Sequence, residues 1–158
     1  IRFKGKRNID WKEVKEYLKE YVGTNYRIQE SSEQVYIGNK FPDEYGGSSY
    51  TRKTKGARAK AKANAAQGIR EMVEIATDKV YRENHKEKHS EDAHNGWFYY
   101  VTRFAIPLYN NEKKTGEYNV YSACLVVNHA ANGKMYLYDI MNIKKETSNL
   151  FQSEDITQ

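Results

Sequence analysis

The chain has 158 residues and a formal net charge of +5, enough for one compact domain with a sizeable core. Leu, Ile, Val and Phe fall below the roughly 20% at which disorder becomes a serious reading, but 14 Tyr and 2 Trp restore apolar bulk and the charge is modest. No apolar run approaches the ~18 residues of a membrane span, and one Cys excludes an intramolecular disulfide framework and any Cys-rich zinc site.

The predicted elements begin with a short edge strand over Ile1–Lys4. Asp10 is placed to cap a helix that runs through Trp11, Val14, Leu18, Tyr21 and Val22 and stops at Gly23. Tyr26–Gln29 and Gln34–Ile37 form a hairpin. Lys40–Thr54, with Pro42, Gly46, Gly47, Ser48 and Ser49, reads as a long loop. From Lys55 to about Tyr81 the pattern predicts a long central helix, Ala- and Lys-rich at first and apolar from Ile69. Glu83–Asn95 is polar and carries three of the four His. Three strands follow: Trp97–Ile106 closed by Pro107, Tyr118–Val127, and Lys134–Ile143 with Tyr136, Tyr138 and Ile140 alternating. His129 falls in a turn, and the tail after Thr147 is polar. The order is helices first and an antiparallel meander second, an α+β class with a three- to four-stranded sheet. The expected organisation is an N-terminal α/β subdomain and loop at 1–54, the central helix plus meander at 55–148, and a tail at 149–158.

Charge is unevenly placed. No acidic residue lies between Glu44 and Glu71, while Arg52, Lys53, Lys55, Arg58, Lys60, Lys62 and Arg70 lie inside, so the rest of the chain is slightly acidic. Such a segment is either a polyanion-facing patch or a solvated helix face. Lys55, Arg58 and Lys62 share one side of the predicted helix.

His85-Lys86-Glu87-Lys88-His89 places two imidazoles at i and i+4 if the helix reaches them. Lys86 stands where zinc proteases carry Glu, and two ammonium groups oppose a metal. The alternatives are a solvated helix end and a paired acid/base site for metal-free RNA cleavage. That chemistry needs a base for the 2′-hydroxyl, an acid for the leaving oxygen and cations for the phosphorane. On Trp97–Ile106, the side with Phe98, Tyr100, Phe104 and Ile106 is the expected core. Arg103 then projects beside Tyr99 on the other side, to pair with an acid or to hold a phosphate while Tyr99 stacks a base. Cys124 reads as a structural thiol, and Lys144-Lys145-Glu146-Thr147-Ser148 as a phosphate site or a solvated strand exit.

His85–His89, the run Gly96-Trp97-Phe98-Tyr99-Tyr100-Val101-Thr102-Arg103-Phe104-Ala105, Tyr118–Ala123 and Tyr136–Thr147 resemble the C-terminal domains of prophage MuF-type and large polyvalent proteins, over about residues 80–148. Phe41–Tyr45, Ser48, Tyr50-Thr51 and Lys60–Ala65 are similar to the regions preceding such domains. Many of these modules are grouped with the barnase/EndoU/RelE-like nucleases, which implies a helix followed by a small antiparallel sheet and metal-independent, toxin-type RNA cleavage without a cofactor. EndoU-type members use two His and a Lys with a late hydroxyl and Tyr, for which Lys145, Thr147 and Tyr138 are the counterparts the resemblance implies.

The expectation is a phage-associated endoribonuclease forming 2′,3′-cyclic phosphates, with His85 and His89 exchanging protons, Arg103 and Lys145 stabilising the phosphorane, and Arg52–Lys62 tracking RNA. Its partners are RNA, an immunity protein or the parent phage protein, without a membrane, in the bacterial cytoplasm or the phage particle. The chain starts at Ile and reads as a piece of something longer. The alternative is a non-catalytic interaction or nucleic-acid-binding module of a phage protein.

Overall fold

A computed structural model describes residues 3, 8–82, 96–110 and 113–146 of the chain. Asp10 opens α1 (Trp11–Leu18), its carboxylate accepting from the Lys12 amide at 3.0 Å. A 3-10 turn over Lys19–Tyr21 ends before Gly23, which takes φ +93°. β1 (Asn25–Arg27) pairs antiparallel with β2 (Gln34–Tyr36), the predicted hairpin.

The stretch expected to be a loop over Lys40–Thr54 instead forms α2 (Phe41–Gly47) and α3 (Ser49–Lys53). Pro42 sits in the first turn of α2, where its missing N–H costs nothing. Ser48 caps α3 by accepting from the Thr51 amide at 3.2 Å. The predicted long helix is also divided. α4 (Gly56–Ala65), a 3-10 turn over Ala66–Gly68 and α5 (Ile69–Glu74) replace it, and Thr77–Arg82 is a strand, β3. The β-forming pair Val80-Tyr81 joins the sheet beside Tyr99 and Phe98 instead of extending the helical face. The helix expected to run to about Tyr81 therefore ends at Glu74, and His85, His89 and His94 lie outside the described residues. So do Thr147 and the tail, and all of the predicted first strand except Phe3, which is buried in a bend.

β4 (Trp97–Asn110) continues through Pro107, past its expected end, with a register shift between Pro107 and Tyr109 that accommodates the missing donor. β5 (Lys113–His129) and β6 (Met135–Lys145) complete a six-stranded sheet of order β1-β2-β6-β5-β4-β3. The sheet is thus larger than the three or four strands expected, because the N-terminal hairpin and β3 extend it at both edges. Its pairings are antiparallel except β2 with β6, which run parallel through Val35–Met135 and Tyr36–Tyr136. His129 ends β5 rather than lying exposed in a turn, and its half-buried ring sits 5.7 Å from Phe98.

The core lies between the helices and one face of the sheet. Val14, Leu18, Phe41, Tyr45, Ile69 and Met72 meet Leu125, Val127, Leu137, Ile140 and Ile143 there. α4 buries Ala59, Ala61, Ala63 and Ala65, small side chains that let its backbone lie close to its neighbours. Each fully inward Tyr has a partner for its hydroxyl: Tyr45 donates to the Lys62 carbonyl at 2.5 Å and Tyr100 to Glu33 at 2.9 Å. The helices and strands, drawn from both halves of the sequence, share this one core, and the class is α+β. No described helix is long and apolar enough to cross a membrane.

Candidate nucleic-acid face

The period of two along β4 separates two environments, as the sequence predicts. Tyr100 and Thr102 turn into the core, with Phe98, Phe104 and Ile106 packed against it. Trp97 and Tyr99 turn the other way and form a second cluster with Cys124, Val126, Tyr138 and Met141, to which, among the described residues, only strands contribute. Trp97 meets Tyr138 edge-on, with centroids 4.9 Å apart. Val101, between Tyr99 and Arg103 on this outer side, is 47% exposed.

Cross-strand partners share a face. Arg103 pairs with Ser122, and Ser122 with Lys144, so these three form a row across β4, β5 and β6 on the outer side. Lys145 pairs with Tyr121, whose ring stacks on Phe104 at 5.0 Å and packs against the core. Lys145 is therefore on the opposite side from Arg103, and Lys144 takes the place expected of it. Arg103 donates to Glu146 at 2.9 Å, the acid pairing that the sequence left open. Arg82 lies opposite Trp97 at the other end of the same face.

Tyr138 was expected to alternate on one side with Tyr136 and Ile140. A bulge between the Val126–Asp139 and Val127–Leu137 pairs breaks that alternation, leaving Tyr136 and Tyr138 half-buried and Ile140 in the core. A pocket of about 370 Å³ opens beside Tyr138, with Gly38, Asn39, Glu44, Asn128 and Tyr136 among its walls. Asn128 is 7% exposed, and its side-chain oxygen has no hydrogen-bond partner. No sequence pattern singles out Asn128, which falls in a predicted turn and is instead part of β5.

The basic segment does not join this face. Arg52, Lys53, Lys55 and Arg58 are exposed on α3, the linker after it and α4, which belong to the helical side. Arg52 also donates to the Gly47 carbonyl at 2.7 Å. Lys62 is a correction to the predicted stripe: its side chain is fully buried and its ammonium lies 2.5 Å from the Asp139 carboxylate. It sits 4.6 Å from the Tyr45 ring centroid and 5.0 Å from that of Tyr50. Burial pushes Lys62 down and Asp139 up, against the attraction between them. Lys62 therefore ties α4 to β6 and offers nothing to a phosphate.

Burial also raises the Cys124 thiol, which suits a structural residue in the outer cluster better than a nucleophile. Tyr99 is raised as well, by burial first and by its neighbour Cys124 second, so its hydroxyl stays protonated at neutral pH. Among the described residues, no group of three or more His, Cys, Asp or Glu side chains converges as metal ligands would. Among the described residues, the outer face can offer aromatic surfaces, an Arg and a Lys. No family model, curated protein or solved structure matches the chain.

Proposed function

We propose that the chain is a phage-associated RNA-processing domain that takes single-stranded RNA on the outer face of its sheet. The observation that supports this reading is the juxtaposition of the outer aromatic cluster with the Arg103–Ser122–Lys144 row. Trp97 is buried beneath this face, and stacking of bases on the half-buried rings of Tyr99 and Tyr138 is indifferent to sequence while the neighbouring Arg and Lys track the phosphates. On this reading His85 and His89, carried by the segment joining Arg82 to Gly96, exchange the protons of a metal-independent cleavage, and Arg103 serves the phosphate.

A second reading, a non-catalytic RNA-binding module, is favoured by a specific feature. Arg103 is already neutralised by Glu146 and lies six residues along β4 from Trp97, ~20 Å at strand rise, so it is far from the end where the histidine segment rejoins the sheet. One experiment tests both. Single-stranded RNA is titrated by fluorescence anisotropy, and total RNA is incubated with the protein in EDTA. Binding that weakens with salt, and several-fold further in Arg103→Ala/Lys144→Ala, is the expected outcome. Cleavage lost in His85→Ala/His89→Ala supports the catalytic reading; RNA bound but left intact selects the second. Absence of binding overturns both.

A further inference from the structure

We infer that the pocket beside Tyr138 is a nucleobase site. Three features of its walls lead to that ligand class. Its volume of about 370 Å³ falls within the range of small-molecule sites. Two of its walls are tyrosine rings held in place before any ligand arrives. Tyr138 is braced edge-on against Trp97, and Tyr136 lies 6.0 Å from Tyr36 with its hydroxyl accepting from Asn132 at 3.1 Å. The Gly38 backbone lies close to the second ring, since a Cβ there would be 3.3 Å from Tyr136 Cδ1.

The third feature is Asn128. A buried acceptor without a donor is destabilising, so its presence calls for a partner. A purely apolar ligand would leave that oxygen unpaired. An inorganic anion would bring a second acceptor toward it and toward the Glu44 carboxylate. A flat heterocycle can pack its faces on the rings with its N–H edge toward Glu44, and a turn of the closed-off Asn128 side chain toward the pocket brings its oxygen onto the same edge. Lys40 stands among the lining residues, suited to a phosphate attached to the base.

Asn128 is paired with Trp97 on β4 and with Tyr136 on β6, so the pocket adjoins the aromatic end of the outer face. The base can therefore belong to a free nucleotide or to one residue of a bound strand. The chemistry is the same in both cases, and the strand as source rests on the RNA reading proposed above.

The test is a ¹⁵N–¹H NMR titration of the full chain with AMP, GMP, CMP and UMP, and with ribose 5-phosphate as the baseless probe. The amides of Gly38 and Asn39 and the side-chain amide of Asn128 are expected to shift saturably with at least one nucleotide and not with ribose 5-phosphate. Asn128→Leu is expected to weaken that response tenfold or more while unfolding at the wild-type temperature or above it, because it removes an unpaired buried acceptor. No response up to roughly 10 mM, below the useful range of weak affinities, overturns the inference. So does an equal response to ribose 5-phosphate, or unchanged affinity in Asn128→Leu. The wild-type titration decides the matter even if that variant fails to fold. Competition between the nucleotide and single-stranded RNA assigns the site to a base of the strand, and simultaneous binding assigns it to free nucleotide. RNA binding without any nucleotide response removes the pocket and leaves the RNA reading intact. A nucleotide response without RNA binding does the reverse.

Discussion

Lys62 and Asp139 are the residues whose environment differs most from their chemistry. Both side chains are fully buried, and one bond of 2.5 Å joins them. Asp139 Oδ1 also accepts from the Ile140 amide at 2.8 Å, while Oδ2 has no hydrogen-bond partner. Removing either charge strands the other in the core. Asp139→Leu or Lys62→Met alone is expected to cost about 3–5 kcal/mol, whereas the double variant should come close to the wild type or exceed it. Urea unfolding of the three variants checks this, and additive losses would show that the two charges act independently. Part of this tie was legible: Asp139 stands between Tyr138 and Ile140 in an apolar strand, and such a carboxylate demands a partner. Its partner was not, because Lys62 is one of seven cations in a run and only the packing of α4 separates it from the others.

At the scale of elements, local signals succeeded where one force dominated. The Asp10 cap, the first hairpin and the two sides of β4 follow from side-chain capping and from strand periodicity. They failed where tertiary pairing overrode composition. Gly46, Gly47 and Ser48 suggest a loop, but Phe41 and Tyr45 bury themselves and pull that segment into a helix. Asp78 and Asn142 take φ +56° and +52° at two irregularities of the sheet, a conformation their short polar side chains tolerate. Gly96 is more constrained. It takes φ +98°, and a Cβ there would lie 2.6 Å from the Tyr81 ring and 2.8 Å from the Arg82 carbonyl oxygen. Gly133 has φ +85° but nothing within 4 Å. Gly96→Ala is therefore expected to lose about 1–3 kcal/mol from backbone strain and more from the close approach, and Gly133→Ala the strain alone. Thermal unfolding of the two variants compares them; equal losses would mean that the Tyr81 and Arg82 contacts yield without cost.

For the molecule as a whole, the helices and the outer cluster lie on opposite sides of one sheet, so the two environments are decoupled. That division explains why the candidate site was only half legible. Arg103 and Tyr99 could be read from strand periodicity, whereas Tyr138 came from the resemblance and its side is set by a bulge, and the separation of the basic segment from them depends on which side α3 and α4 cover. The same layering makes the first part of the chain structural: α1, α2 and α3 supply Val14, Leu18, Phe41, Tyr45 and Tyr50 to the core against β6. Deleting residues 1–54 is expected to abolish the folded state, because Leu137, Ile140 and Ile143 lose their cover. Near-UV circular dichroism of the truncated chain reads this directly, and a retained aromatic signal would mean that residues 55–158 fold alone.

The parallel contact between β2 and β6 sets an order of assembly during translation. Val35 reaches its partner Met135 only after about a hundred further residues have been made. Until then both edges of the first hairpin are unpaired, and the β2 edge stays open until β6 has been made. Contacts so distant in sequence form slowly, since loop closure must precede the reward of pairing. The nascent β1–β2 hairpin is thus the segment most exposed to a chaperone or to a neighbouring chain, although in the finished protein it forms an edge of the sheet.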